Sequence, residues 1–588
     1  MLSRMLRACC LGAFALGFLL PATGLVPARG TSTLWAWNAK CSGAPCGYQG
    51  GLADFPTVDP NYIYNQLFYM ATHFQHREAG FDNNFPVNIN GHDEFANYWT
   101  QEIMHDLLGF GPQIRHDSFP VLGWLNRPAT VPAFNVEVSV PGITHPEQIV
   151  VIGCHYDGQA ISTQSANDDT SGCAIELGVA RAMGIYWRSH HVYPARTLRF
   201  VIFDAEEQGL FGSFHYLNST VNGDTRNIVA MFNEEQSGIA YPLRFLGKMS
   251  NPLLPFYIDM SPLTDGSLYP AQSKLSQAQR DNFTHFRALM QQAVVAAFMK
   301  FQALGFQSLT YHNDTNQDGS QPIFVSDQIS NVHQEDDTLG GSDQIPFTLA
   351  GLSCATLVGN STYYNQNPLP WSYPFDQAQD TIQLMNTFAS GSSQKAQSLV
   401  LALALPGMLT TWMLNQPDIL GQAPADGNPI AAISDIGQTQ VGQSISLDAM
   451  ASFDPQGNPL SYAWNFGDGT TATRVVVNHV YSAAGTYTLT LTVSSATGKR
   501  RISKVIDVVT HSTSYANPYA GGPGNLPDGN PPHNPAVVLP IPNNNPASTT
   551  TPQANTSGSF PIGAIVFVLA AILIVGVLVI AGRRRQRR

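Results

Sequence analysis

The sequence predicts an α/β fold with a mostly parallel sheet and helices on both faces, followed by a small β-sandwich and a C-terminal transmembrane helix. Continuous apolar strands alternate with helical segments up to about residue 423, as in parallel sheets buried on both faces. Short strands with period-two alternation follow. An uncharged stretch from Ile562 to Ala581 is then long enough to span a bilayer.

The length of 588 residues is too great for one hydrophobic core, so several domains are expected. The stretch after residue 510 is rich in Pro, Asn, Ser and Thr, a composition that favours an extended, disordered stalk. We assign, in order, a signal peptide (1–30), the α/β domain (31–423), the sandwich (424–510), the stalk (511–558), the transmembrane helix (559–582) and a basic cytoplasmic tail (583–588).

Both ends carry membrane signals. Arg4 and Arg7 precede a short apolar stretch and then small residues, as in a secretory signal peptide, and an uncleaved anchor helix is the alternative. The segment "GRRRQRR" follows the C-terminal apolar stretch and favours a cytoplasmic location for the tail. We therefore predict a single-pass protein of the cell membrane whose α/β domain is extracellular.

Charge and cysteines agree with an extracellular protein. The net charge of −12 argues against a nucleic-acid partner. Cys41 and Cys46 are close enough for a small disulfide loop, whereas Cys154, Cys173 and Cys354 lie in apolar contexts that predict buried thiols. The segment "QSLVLALALPGMLTTWML" is either a second membrane span or a buried helix, and Pro406 and the preceding amphipathic pattern favour the buried helix.

Four motifs place acids and one histidine at predicted strand ends or in the loops that follow them. Because ligands gather at the carboxyl ends of parallel strands, we expect these side chains to share one cleft. They are His155 and Asp157 in "GCHYDG", Asp168 in "SANDDTSG", Glu206 and Glu207 in "FDAEEQG", and Glu235 in "FNEEQSG". Several carboxylates in a dry cleft need a compensating cation, and imidazole with carboxylates suits zinc, with manganese or cobalt as alternatives.

The spacing also indicates roles. Asp157 can accept the second imidazole N–H of His155, and Asp168 can bridge two metal ions. Of the adjacent acids Glu206 and Glu207, one can bind a metal while the other takes a proton from an activated water.

These motifs, in this order, resemble the secreted co-catalytic zinc aminopeptidases of the leucyl aminopeptidase and glutaminyl cyclase superfamily over about residues 130–415. The resemblance implies a zinc-exopeptidase sheet holding one or two zinc ions. It implies that His155 and Glu235 hold the first zinc, Asp168 bridges, Glu207 holds the second zinc, Glu206 is the general base and Asp157 supports His155. Glu234 is the alternative to Glu235.

The last ligand of these relatives is the histidine of a Ser-Asp-His-x-Pro-Phe segment, and Gln344 occupies that place here. Three outcomes stay open. The Gln344 carbonyl could bind a second zinc weakly, the site could work with one tightly held ion, or another histidine such as His333 could replace it.

The segments "SFDPQG", "WNFGDG" and "AGTYTLTLTV" resemble a polycystic kidney disease (PKD) repeat domain, which is an immunoglobulin-like sandwich. Tyr487, Leu489, Leu491 and Val493 are expected on one side of its strand. This domain is expected to act as a spacer or to bind a surface protein or carbohydrate.

The leading functional hypothesis is a cell-surface zinc aminopeptidase that acts on peptides or proteins by metal-activated water, with Glu206 as general base. The alternative is a catalytically silent surface binding or adhesion protein on the same fold. Glutaminyl cyclisation is a third, less favoured hypothesis, because the single zinc of those enzymes also uses the late histidine.

Overall fold

The computed structural model describes residues 54–79, 91–121, 131–159, 161–220, 225–238, 256–263, 275–304, 312–315, 322–327, 330–337, 342–359, 376–389, 395–433 and 439–510. The chain divides into two compact units, Met1–Val537 and Val538–Arg588, and all described residues lie in the first. The predicted signal peptide, stalk, transmembrane helix and tail lie outside the described residues, as do Cys41 and Cys46.

Most of the described chain surrounds one large sheet. The first twelve strands are β1 Gln113–Val121, β2 Val131–Val140, β3 His145–His155, β4 Val192–Pro194, β5 Arg196–Phe203, β6 Ile228–Glu235, β7 Phe256–Met260, β8 His312–Thr315, β9 Pro322–Asp327, β10 Ser330–Asp336, β11 Ser353–Val358 and β12 Gln422–Pro424. Ten of them form the sheet in the order β1-β2-β5-β3-β6-β11-β7-β10-β9-β8, while β4 and β12 pair separately.

The prediction of a mostly parallel sheet is wrong, because the sheet is mixed. The central strands β5, β3, β6 and β11 are parallel, as is the pair β7 and β10. The remaining neighbours, β1–β2, β2–β5, β11–β7, β10–β9 and β9–β8, are antiparallel. The apolar runs of the sequence identified the buried centre, but a run of apolar residues carries no information on the direction of its neighbour.

Helices pack on the sheet, as predicted for both faces. They are α1 Pro60–His73, α2 His92–Asp106, α3 Thr170–His190, α4 Phe211–His215, α5 Gln277–Ala303, α6 Ile345–Leu349, α7 Ile382–Ala389 and α8 Lys395–Leu414, with a π-helical turn at Tyr216–Thr220. Val150 and Ile152 of β3 join the core under the long helices, whereas Val151 packs with Phe347 of α6 on the opposite face. Alternate residues of one strand thus fill two cores, which explains the continuous apolar run.

The segment around Pro406 is the buried helix that the sequence favoured. Leu403, Leu405 and Leu409 of α8 are fully buried in the main core, against α1, α3 and α5. Within the described ranges, none of the helices combines the length and the apolar character needed to cross a membrane.

The cysteine prediction needs one correction. Cys154, at the end of β3, forms a disulfide with Cys173, in the first turn of α3, and their Cα atoms are 5.5 Å apart. These residues are therefore not thiols, since the packing of α3 against β3 brings them within bonding distance. Cys354 is a buried thiol, as predicted.

The sandwich consists of β13 Thr439–Gln440, β14 Ser444–Asp448, β15 Ser461–Asn465, β16 Thr471–Ala472, β17 Val476–Val480, β18 Gly485–Ser494 and β19 Lys499–Val509. One sheet has the order β13-β19-β18-β15-β16, and β14 pairs with β17. Leu489, Leu491 and Val493 are fully buried in its core with Trp464, and Tyr487 packs against them, as predicted. In "WNFGDG", Gly467 has φ +82°, and a Cβ there would lie 2.7 Å from the Thr488 carbonyl oxygen.

Candidate metal centre

His155 and Asp157 lie at and just beyond the end of the central strand β3. Both side chains are buried, and His155 Nδ1 lies 3.4 Å from Asp157 Oδ1. The two carboxylate oxygens of Asp157 also accept the backbone N–H groups of Glu206 and Glu207, at 3.1 and 3.3 Å. Asp157 therefore fixes both the imidazole and the loop that follows β5.

Asp168 and Asp169 lie in the loop before α3. Asp168 Oδ1 is 3.0 Å from His155 Nε2, and Asp168 Oδ2 accepts the side-chain amide of Gln236 at 3.2 Å. Asp169 caps α3, because its Oδ1 accepts the Gly172 N–H at 3.0 Å. Its Oδ2 has no hydrogen-bond partner in the part of the chain that the structure describes.

Glu206 and Glu207 follow β5, and both are buried. Glu207 accepts a 3.0 Å hydrogen bond from the Gln159 side-chain amide. Burial raises the pKa of Glu206 well above its usual value, and its carboxylate interacts by charge with His155 and Glu235. The pair therefore lies in the same cleft as His155, as the sequence predicted.

Strand alternation separates Glu234 from Glu235 at the end of β6. Glu235 Oε1 lies 3.7 Å from His155 Nε2, and its Oε2 accepts the Ser342 hydroxyl. Glu234 points the other way and accepts the Thr410 hydroxyl of α8 at 2.6 Å. The structure thus brings Glu235, and not Glu234, to the imidazole.

Two overlapping groups of potential metal ligands share His155. In each group, one ligand atom from each of three buried residues lies within 4.8 Å of the others. The groups are His155, Asp168 and Glu207, and His155, Asp169 and Glu235. The sequence prediction did not include Asp169, the second acid of "NDDTSG". An Asp just before a helix is typical of a helix cap, and the sequence does not show that this cap also lies close to Glu235.

Gln344 is held by hydrogen bonds to two neighbouring side chains. Its side-chain amide donates to Asp337 Oδ2 at 2.8 Å, and its carbonyl oxygen accepts from Asn233 at 3.4 Å. Asn233 also donates to the Ser342 hydroxyl, which in turn donates to Glu235. Gln344 is therefore connected to the cluster through a chain of hydrogen bonds. The side chain of His333 lies outside the described residues.

The electrostatics of the cluster fit a bound cation. Burial raises the pKa of Asp169, Glu206 and Glu207 well above their usual values, and neighbouring carboxylates raise it further. Burial alone would lower the pKa of His155, but Glu206 and Glu235 raise it well above its usual value. A divalent cation between these groups would remove the repulsion and give Asp169 Oδ2 a partner, so the residues present fit a metal ion.

Sequence reasoning also missed Arg77, which lies in the loop after α1. Its buried guanidinium donates to the Tyr156 carbonyl at 2.7 Å, the Thr170 hydroxyl at 2.7 Å and the Ser165 carbonyl at 3.4 Å. These bonds join the loop after β3 to the start of α3. No motif in "HFQHREAG" marks this residue, so only the fold could identify it.

An imidazole and several carboxylates at the carboxyl ends of parallel strands define an α/β protein with a candidate co-catalytic metal centre. Residues 135–323 match the model of peptidase family M28, and residues 426–510 match that of the PKD domain. One region of the chain is thus similar to M28 peptidases and the next to PKD domains, and the resemblance and domain order predicted from the sequence are confirmed.

Relatives match over short segments. The chain is 33% identical over 99 residues to aminopeptidase YwaD of Bacillus subtilis, which covers 17% of this chain and 20% of the relative. It is 36% identical over 87 residues to human carboxypeptidase Q, which covers 14% of this chain and 17% of the relative. It is 36% identical over 74 residues to a microbial collagenase of Vibrio alginolyticus, which covers 13% of this chain and 9% of the relative. These alignments thus span a quarter or less of each relative.

Similar solved structures include the LapA aminopeptidase of Legionella pneumophila, with 14% identity and a TM-score of 0.37 over 62% of this chain and 72% of that chain. The glutaminyl cyclase of Porphyromonas gingivalis has 14% identity and a TM-score of 0.37 over 62% of this chain and 98% of that chain. Similarities at this level carry no argument about activity.

Proposed function

We propose that this protein is a zinc metallopeptidase that removes residues from the amino termini of peptides outside the cell. The observation that supports it best is the pair of three-residue groups sharing His155, with Glu206 beside them. The match of this region to peptidase family M28 supports the same reaction class. The names of the similar relatives include both aminopeptidases and carboxypeptidases, so the end of the peptide that is attacked needs its own test.

The ligands in this proposal are His155, Asp168, Glu207 and Glu235, with Asp169 close enough to join them. Zinc, when bound there, would supply a Lewis acid that polarises the scissile carbonyl and activates water.

Glu206 belongs to neither three-residue group, so its carboxylate is available for proton transfer. It would accept a proton from the attacking water and return it to the departing amine. Asp157 would hold the imidazole and, through the backbone N–H groups of Glu206 and Glu207, the position of the base.

We also propose that the α/β domain faces the outside of the cell, held by the predicted C-terminal helix. The Cys154–Cys173 disulfide supports an oxidising compartment. Labelling of intact cells with a membrane-impermeant biotin reagent tests this location. Labelling only after the cells are lysed would contradict it.

The test of activity is the change Glu206→Gln, which keeps the size of the side chain but removes the base. We expect the turnover of aminoacyl anilides to fall by roughly 10²- to 10⁴-fold with unchanged metal content, as is typical for loss of a general base. Glu234→Gln, the same change on the opposite face of β6, should keep activity within about threefold, because its side chain contacts Thr410 instead of the cleft.

Two blocked peptides test the specificity. A peptide with a free amino group and an amidated carboxyl end should release its first residue, whereas an acetylated peptide with a free carboxyl end should stay intact. The reverse result would contradict aminopeptidase specificity but leave a metallopeptidase. If metal-loaded protein cleaves neither peptide and no anilide, the proposed reaction is wrong and a silent binding protein is favoured.

A further inference from the structure

The guanidinium of Arg77 is buried and fully hydrogen-bonded, and only 1% of the residue is exposed. A guanidinium carries five N–H donors, and each donor of Arg77 has an acceptor. The acceptors are the backbone carbonyls of Phe74, Tyr156, Gln164 and Ser165 and the hydroxyl of Thr170. None of these five acceptors is a carboxylate, so the bonds of Arg77 fix the course of the backbone.

Four of the five acceptors lie in the two loops that carry proposed metal ligands. The Tyr156 carbonyl, which accepts Nε–H at 2.7 Å, directly follows His155 in the chain. The other three acceptors belong to the loop before α3, which carries Asp168, and the shortest of these bonds is 2.7 Å to the Thr170 hydroxyl. Arg77 therefore holds both sides of the cleft from one point.

The segment around Arg77 is itself firmly placed. The Arg77 carbonyl accepts the Gly158 N–H at 3.2 Å, and the His76 N–H donates to the Thr163 carbonyl at 3.0 Å. The guanidinium also lies over the ring of Phe95 in α2, 4.6 Å from its centroid, which favours a cation at this place. The two loops are thus tied to α2 through Arg77.

The site requires the shape of arginine as well as its charge. Burial lowers the pKa of Arg77 to about 10, so the side chain stays protonated at neutral pH and keeps all five donors. A lysine would keep the charge but has three donors on a single nitrogen, which cannot reproduce the planar fork. Arg77→Lys therefore separates the hydrogen bonds from the charge.

We propose that Arg77 is a positioning residue of the metal centre, which sets His155 and Asp168 opposite each other by holding the backbone beside each of them. This inference rests on the proposed metallopeptidase function. His155 Nε2 and Asp168 Oδ1 lie 3.0 Å apart, although they come from separate segments. Ligands that are held in place before an ion binds lose less conformational freedom on binding, so the clamp should raise zinc affinity.

The test measures zinc affinity of full-length protein, stripped with a chelator, by competition with a fluorescent zinc chelator. Arg77→Lys should lower the affinity by about 10- to 100-fold, the loss typical of removing the support of a metal ligand. At saturating zinc, kcat should fall while KM stays within about threefold, because Arg77 is buried away from any bound peptide. A purely structural role would lower the unfolding temperature but leave both zinc affinity and kcat of the folded protein unchanged.

Arg199→Lys is the matched control. Arg199 is also buried in the α/β domain, and its guanidinium donates to the Tyr216 hydroxyl at 3.1 Å and lies 3.6 Å from Glu137 Oε2. This variant should unfold at a lower temperature, measured with chelator present, but keep zinc affinity within about threefold of wild type.

Thr170 tests the same clamp from its other side, with a milder change. Thr170→Val removes one of the five acceptors and should lower zinc affinity by about 2- to 10-fold, the effect of one hydrogen bond. Thr170→Ser keeps the hydroxyl and should lose less affinity than Thr170→Val.

The inference is overturned if folded Arg77→Lys binds zinc as tightly as wild type, or if Arg199→Lys loses as much affinity. If Arg77→Lys does not fold, Thr170→Val decides, and wild-type zinc affinity in that variant overturns the inference. These results would leave the proposed peptidase intact. Absence of bound zinc in wild type would instead overturn the proposed function together with this inference.

Discussion

The pKa values of buried acids in the α/β cleft and of Asp454 in the sandwich shift in opposite directions. In the cleft, burial raises the pKa of Asp169, Glu206 and Glu207. In the sandwich, hydrogen bonds from Ser495 and Thr497 and from nearby backbone hold the pKa of Asp454 well below its usual value.

The two regions differ in the hydrogen-bond donors that surround their acids. Asp454 accepts the Gln456 N–H at 2.7 Å and the Thr497 hydroxyl at 2.7 Å, which are the donors of a turn and a neighbouring loop. The cleft acids come from four separate segments and face one another. An acid with donors at hand stabilises a turn, whereas a cluster of buried acids without enough donors needs a cation.

The largest effect expected outside the catalytic and ligand residues comes from Asp157→Asn. The change weakens the contact of residue 157 with the His155 imidazole and its hydrogen bonds with the backbone of Glu206 and Glu207, but it removes no metal ligand. Zinc affinity should fall by about 10- to 100-fold, as is typical for the partners of metal-binding histidines. Competition with a fluorescent zinc chelator measures the affinity.

Asp454→Asn is the matched control for that experiment, because it removes one carboxylate charge from a turn. Its zinc affinity should equal that of wild type. An equal loss of zinc in both variants would mean that general destabilisation, and not the cleft, explains the result.

The smallest expected effect is the pH dependence of the stability that Asp454 gives to the sandwich. Its folded pKa is depressed below the unfolded value of about 3.9, so its contribution to stability is complete above about pH 4 and is lost as the pH falls towards the folded pKa. At pH 7, Asp454→Asn should lower the unfolding temperature of the sandwich by an amount on the order of a few degrees. Calorimetry should show this difference shrinking below pH 4, and a difference that grows on acidification would contradict the assignment.

The sequence predicted the parts of the site that lie in motifs at strand ends. His155, Asp157, Asp168, Glu206 and Glu207 share one cleft because they follow strands of the parallel centre, which apolar runs identify. The direction of the outer strands was not predictable, since hairpin and crossover connections leave the same pattern within a strand.

Asp380 and Arg77 show a second limit of the sequence. Asp380 lies more than 140 residues after Glu235, outside any motif, and contacts the Asp168 loop by accepting the backbone N–H groups of Asn167 and Asp168. Arg77 lies before the region that matches the peptidase family. Contacts between such distant segments depend on tertiary packing, which a single sequence does not display.

The central claim is that a divalent ion binds in the cleft at His155 Nε2, beside Asp168 and Glu235. Anomalous diffraction at the zinc edge from crystals of zinc-loaded protein tests it most directly. We predict a peak about 2.0–2.1 Å from His155 Nε2, the usual zinc–imidazole distance. A map without a peak in this cleft, or with its strongest peak at another site, would contradict the account.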